Sequence, residues 1–346
     1  MIRDRARLGS RRARLTRERA YAVLCALGAL FVLSVVGAAM VGSVRVDFAR
    51  AFDFAHPENT DFVIFFRSRL PRVLLGAAVG GGLAAAGAAL QALLRNPLAS
   101  PDVIGISGGA SIGAIGVLAL GVGGPAWILV PGAAFAASLA TLAAIVRLST
   151  VHGRLNPYSL LLVGVIANTI AAAVIMLVTA LVDSLRAQGV LIWLSGSLAQ
   201  RPYSLVTLVI VLTVAPAVLL WTQGRSLNLL ALGEEAATQL GADVGRVRTV
   251  SFLSAALLVG AAVSVSGVIG FVGLIVPHCL RLAFGSDQRL LIPAAFLGGA
   301  VFLVWTDAAA RTLAAPTEIP VGVLTALCGG PFFVFLLRRQ EEGREI

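Results

Sequence analysis

The sequence predicts an all-α, polytopic membrane protein of about ten transmembrane helices. Three observations carry that prediction. The first is composition: 58% of the 346 residues are apolar and 13% are charged, and the mean hydropathy is +0.93. Soluble domains sit nearer half apolar and a quarter charged. The second is length. Apolar runs of about 17–25 residues, enough to cross a bilayer, recur along the chain between short polar stretches. The third is arginine placement. Alternating the loops puts arginines 45, 50, 67, 69, 72, 186, 201 and 311 outside and the rest of the basic residues inside. That asymmetry follows the positive-inside rule and sets both termini of a multi-pass membrane protein in the cytoplasm.

The net charge is +10, and every basic residue is Arg. Because these arginines flank spans, the charge speaks for membrane orientation and makes no case for nucleic acid. The absence of Lys excludes two classes. A P-loop needs its Lys on the β- and γ-phosphates, and a Schiff-base enzyme needs one as nucleophile. Any ATP and Mg ion are therefore expected on a separate subunit, with no cofactor on this chain. Cys25, Cys279 and Cys328 lie far apart, as do His56, His152 and His278, so neither a disulfide framework nor a metal site is expected. Nor is any catalytic group.

Residues 1–19 form a basic cytoplasmic tail with eight arginines. The run 20–42 is the first span. A basic start before an apolar run also suits a signal peptide, but this run is long for one and no small-x-small cleavage site closes it. Residues 43–69, of mixed charge, read as an external loop. From 69 to 114 comes RLPRVLLGAAVGGGLAAAGAALQALLRNPLASPDVIGISGGASIGA. Its glycines four apart, Gly76 and Gly80, then Gly105, Gly109 and Gly113, give small faces on which helices approach closely. Gln91 lies inside the span and is expected to bond to a neighbour or line a wet path. Pro97 and Pro101 stop one helix and start the next.

Further spans are expected at 126–148 and 160–182, separated by a short loop holding Arg154, Asn156 and Pro157. Residues 183–203 carry Trp193 and Tyr203 as interfacial anchors. The segment 204–221 crosses back. After it comes 225–248, RSLNLLALGEEAATQLGADVGRVR, the longest polar interruption in the last two thirds of the chain. It reads as one or two short helices, with Gly241 ending one in the left-handed conformation. A span near 250–266 leads into GVIGFVGLIVPHCLRLAFGSDQR, which holds the eighth, and spans at 290–315 and 321–337 follow. Beside Pro277, the His278 ring is expected to bond to a freed backbone carbonyl. Asp307 and Arg311, four apart, read as a helix ion pair. Residues 20–339 thus form one transmembrane domain, and 340–346 a cytoplasmic tail.

Within the polar segment, a small-residue knob flanked by acids suits insertion into a groove on a soluble partner. The plain alternative is a capped surface helix. The wording LNLLALGEEAATQLG resembles the coupling loop of the permeases that import iron-siderophores, haem and vitamin B12 with an ABC-type ATPase. The earlier string RLPR…NPLASPDVIGISGGA is similar to the same permeases, and the resemblance runs from about Arg67 to Arg339. It implies the type II ABC importer permease fold and a dimer, of two copies or of paired homologues. Two ATP-binding cassette subunits would dock below it, and an extracytoplasmic substrate-binding protein would deliver cargo. It also implies roles for residues. Leu232, Gly233, Glu234, Glu235, Ala236, Ala237 and Gly241 would couple to the ATPase. Asn96, Pro97 and Leu98, with Asn156, Pro157 and Tyr158, would form the cytoplasmic gate. Arg69, Arg72 and Arg311 would hold the acidic knobs of the binding protein, although interfacial snorkelling accounts for any one of them alone.

Two other classes of function are weaker. An ion-coupled transporter wants carboxylates at mid-span, whereas Asp183 and Asp307 lie towards segment ends. An intramembrane enzyme wants a complete nucleophile–base–orienter set, and His278 with Ser264 and Ser266 is incomplete. The run 193–198, WLSGSL, looks more like siderophore-type members of the resembling family than haem-type ones. The resemblance therefore implies import of an iron-siderophore or related metal chelate, with haem and cobalamin as alternatives.

Overall fold

The computed structural model describes residues 16–151, 153–198 and 201–342. His152 and the ends of both tails, 1–15 and 343–346, lie outside the described residues. Among the described residues, ten apolar helices run up and down through one bundle: seven long enough to cross a bilayer and three shorter, Ile106–Leu120, Val272–Phe284 and Val321–Val334.

Helix α1, Arg17–Met40, starts inside the stretch assigned to the tail, because the Thr16 side chain accepts a bond from the Arg19 N–H and caps it. A one-turn helix α2, Phe48–Ala51, follows. The expected external loop 43–69 then gives way to helix at Thr60. The Asn59 side chain accepts the Phe62 N–H at 2.7 Å, and a π-helical turn over Val63–Arg69 leads without interruption into the second span. Helix α3 therefore runs Thr60–Leu93. Its new first turns carry Phe62, Phe65 and Phe66, which stack with Phe48, Phe52 and Phe54 to close that end of the bundle.

Helix α3 is the centre of the protomer: 94% of its most apolar stretch is buried, against 11% for the Pro157–Leu181 helix. Its small face makes this possible. A Cβ added at Gly80 would lie 2.3 Å from the Gly299 carbonyl oxygen, and one at Gly87 would lie 1.8 Å from that of Gly273. Backbone meets backbone at both positions, where hydrocarbon offers no hydrophobic drive and packing must hold helices together.

Around α3 stand α4 Ile106–Leu120, α5 Ala126–Ser149, α6 Pro157–Leu181, α7 Ser184–Leu194 and α8 Tyr203–Thr222. Then come the short α9 Gly224–Leu230 and α10 Glu234–Gln239, followed by α11 Val244–Ser266, α12 Val272–Phe284, α13 Gln288–Thr312 and α14 Val321–Glu342. Among the described residues there is one small departure from all-helix: Thr150–Val151 and Arg154–Leu155 pair as antiparallel strands, Thr150 opposite Leu155. Trp193, expected as an interfacial anchor, instead packs against the core.

Candidate functional site

The polar segment folds as two short helices. Leu227 and Leu230 of α9 are buried, and Asn228 bonds to the Asp287 carboxylate and to the Gln288 N–H, both at 2.8 Å. Burial alone would raise the Asp287 carboxyl; hydrogen bonds from Arg289 and Asn228 outweigh it and hold the group below the usual carboxylate range. That anchor ties α9 to the start of α13. Helix α10 is bounded by Gly233 at φ 114 and Gly241 at φ 84, conformations that residues with a Cβ rarely adopt. The left-handed end expected at Gly241 is present, with the Ala242 N–H bonded back to the Ala237 carbonyl.

The seven residues expected at an ATPase contact divide by orientation. Leu232 is 67% exposed and Ala237 fully buried; Glu234, Glu235 and Gly241 are exposed, and Gly233 and Ala236 lie between. Leu240, 58% exposed, adds a second apolar side chain to the outer face, which the sequence reading passed over. Ala237 is thus the internal pin of this helix.

Both expected gate segments lie at the same end. Asn96 caps its own turn through the Leu98 N–H at 2.9 Å, and Asn156 caps α6 through the N–H groups of Tyr158 and Ser159. Leu98 is 42% exposed and Tyr158 is 86% exposed. A cavity of about 430 Å³ is lined by Arg95, Asn156, Pro157, Tyr158 and Glu234, among others. A second, about 540 Å³, lies between the strand pair and α10 and shares Arg154, Leu155, Glu234 and Arg248 with the first. The geometry brings α10, Arg95 of the first turn and the whole second turn to one place.

The chain between α3 and α4 does more than turn. Asn168 donates to the Asp102 carbonyl at 2.7 Å, and a Cβ at Gly273 would meet both Pro101 and the Leu83 carbonyl oxygen. Leu83 lies ten residues before the end of α3, and Asn168 eleven past the start of α6. At 1.5 Å per residue each is roughly 15 Å above that end of the bundle. Residues 101–105 therefore sit at mid-depth, where Asp102 is partly exposed, its carboxylate accepting from the Ser100 hydroxyl at 3.1 Å. Sequence reading missed this carboxylate because Ser and Pro in 95–101 signal a surface turn.

Gln91 satisfies its expectation: Arg281 donates to it at 2.6 Å, and its amide points at the Gly273 and Leu274 carbonyls. His278 does not; neither ring nitrogen has a partner among the described residues.

At the opposite end, Asp307 is 1% exposed. Arg72 holds it, and Arg311 pairs with it at 3.0 Å, as the four-residue spacing predicts. Arg311 also donates to the Ala38 and Val41 carbonyls, and Arg69 to those of Met40 and Val44. The last carbonyls of α1 have no helical acceptor role left, and these guanidinium groups satisfy them. Arg69 and Arg311 are each 5% exposed. The three arginines expected at an outer rim are turned inward; of the three, Arg72 alone pairs with an exposed acidic side chain, Glu318 at 2.8 Å.

A family model for the FecCD transport family matches residues 29–339. The chain belongs to the FecCD transport family. It is 40% identical over 324 residues to the hemin transport system permease protein HmuU of Yersinia pestis, covering 92% of this chain and 96% of that one. It is 40% identical to the Fe(3+) dicitrate transport system permease protein FecD of Escherichia coli, covering 80% and 86%. The structure superposes on a metal-chelate type ABC transporter in an inward-facing conformation, with a TM-score of 0.79, 30% identity and coverage of 92% and 99%. As a FecCD member the chain is the multi-pass, non-catalytic permease subunit of an ABC importer of the inner membrane, working with an ATPase and a substrate-binding protein.

Proposed function

We propose that two copies of this chain form the pathway by which an iron-siderophore is imported, with the α9–α10 end facing the cytoplasm. Both termini lie on that side. Two ATPase subunits bind ATP and Mg there, and this chain holds no cofactor of its own. The binding protein docks at the other end and supplies the cargo.

The observation that carries this reading is the convergence at one end of the bundle. A short helix bounded by glycines, presenting Leu232 and Leu240 outward, lies beside Arg95 of the first turn that resembles the gate and the whole of the second. A motor docked on that helix has the gate within reach. The path itself follows from Asp102. A partly exposed acidic residue and a break between α-helices, where a short 3-10 turn over Pro101–Ile104 ends in left-handed Gly105, do not suit a face turned to hydrocarbon at mid-depth; they call for a water-filled or protein-covered one. Such a face suits the seam between two copies.

For cargo, WLSGSL favours an iron-siderophore, with haem and cobalamin as the alternatives. Proteoliposomes holding the permease, its ATPase and its binding protein discriminate these. Accumulation of a radiolabelled ferric siderophore in preference to haem or cobalamin is the expected result, and preference for either of the others would replace it.

A further inference from the structure

Glu234 and Glu235 are neighbours in sequence, yet the structure gives them different work. The Glu234 carboxylate pairs with the guanidinium of Arg248, on the first turns of α11, and lies 3.7 Å from that of Arg95, in the turn after α3. The two residues stand about 100° apart around the helix, and only the first of them reaches the guanidinium groups of Arg248 and Arg95. Glu235 has no ion pair among those of the described residues.

Three further features converge on Glu234. The two glycines that bound α10, Gly233 and Gly241, have positive φ, and a Cβ built at either would meet nothing within 4 Å, so neither end of the helix is packed in at these points. Arg248 is only 12% exposed on its side chain and fixes one side of the carboxylate. Arg95 is half exposed and stands at φ 49, an uncommon conformation for a residue with a side chain. It is followed directly by Asn96, Pro97 and Leu98. A half-exposed ion pair of this length adds little to fold stability, so stability does not account for the arrangement.

We propose that Glu234 is a positioning residue, a strut between the coupling helix and the 95–98 turn, and that Glu235 with the exposed leucines is left to face the ATPase. Tilting α10 moves the Glu234 carboxylate relative to Arg248 and draws or releases Arg95 with the turn attached to it. The cavity wall shared by Arg95, Arg154 and Tyr158 places the second gate turn next to the same carboxylate. This inference rests on the importer reading above and names one linkage within it.

The test uses the full complex in proteoliposomes, with Cys25, Cys279 and Cys328 replaced by Ser and Tyr158→Cys as reporter. The readout is the rate of disulfide cross-linking between copies, with ATP–vanadate and without nucleotide. With Arg95 and Glu234 intact, nucleotide is expected to change that rate by at least about fivefold, the lower range for coupled sites. Arg95→Ala should bring the ratio close to one while ATP hydrolysis by the complex continues, and Arg95→Lys should restore much of it. Glu234→Gln should have the same effect, and the double variant should be no worse than either single one, as expected of two residues acting through one contact. A nucleotide response that survives Arg95→Ala overturns the inference and leaves the importer reading standing. So does loss of ATPase binding in Glu234→Gln with Arg95→Ala unaffected, which would make Glu234 a docking residue. A background protein that transports but shows no nucleotide response removes the gate reading and the strut together.

Discussion

Arg72 grips Asp307 through three hydrogen bonds, from Nε to both carboxylate oxygens at 3.1 Å and from Nη2 to one of them at 2.9 Å. The pair joins α3, about a third of the way along it, to the last turns of α13, and Arg311 adds a second cation to the same carboxylate. Removing one partner of a buried pair strands the other charge and costs about 3–5 kcal/mol. Asp307→Asn should therefore lower thermal stability sharply in detergent, because two inward guanidinium groups lose their counter-ion. A melting temperature within a degree or two of the parent would show that the cluster is wet and weak.

The same geometry changes the expectation for docking. Arg69→Glu with Arg72→Glu would place new carboxylates beside Asp307 and beside the carbonyls that end α1. Loss of folded protein should precede any change in binding-protein association. Glu318→Arg, at an exposed position, is the substitution that tests the outer rim with the fold kept. Association rates that fall with the double arginine variant at full expression and unchanged melting would restore the arginines as docking groups.

Asp102 makes a prediction about water. Val103, 36% exposed, should react as Val103→Cys with a membrane-impermeant thiol reagent in the cysteine-free protein, despite lying at mid-depth. Protection there, with Tyr158→Cys reactive as a control, would mean that this face is sealed by protein or lipid.

Much of the fold was legible because its signals are long. Apolar runs marked ten helices among the described residues, seven of them of bilayer length, and the Gly241 and Asp307–Arg311 spacings matched the local geometry. What escaped was set by contacts that periodicity does not carry. The start of α3 at Thr60 depends on a single Asn59 cap and an aromatic cluster inside a polar stretch. The strand pair at 150–155 joins only two residues on each side. The inward turn of Arg69 and Arg311 follows from where α1 leaves its last carbonyls, information held some 30 and 270 residues away. For the coupling segment, acids and alanines marked the helix but not which of them faces out. Helical spacing does separate Glu234 from Glu235; it does not say which one meets Arg95.

The anchoring of α9 carries a pH signature. The folded Asp287 carboxyl titrates below its unfolded value, so its contribution is complete above the unfolded pKa, about 3.9. It is lost as pH falls through the lower folded pKa. ATPase binding to the permease should therefore be insensitive to this group between pH 5 and pH 8 (an interval set by that value of about 3.9). Asp287→Asn should weaken binding across the whole range instead. A titration near neutral pH that disappears in Asp287→Asn would contradict this.

The most direct test of ATP coupling through α10 is Ala236→Trp. Ala236 lies on the partly exposed side of the helix, next to the buried Ala237, so a bulky ring there should spare insertion and folding while filling the contact with the ATPase. ATP-dependent uptake of a radiolabelled ferric siderophore, measured in proteoliposomes with the ATPase and binding protein present, should fall at least about tenfold, a loss of roughly 1.4 kcal/mol of coupling. Uptake at the parental rate by a correctly inserted Ala236→Trp protein would contradict the account, since the motor would then be acting on some other part of the chain.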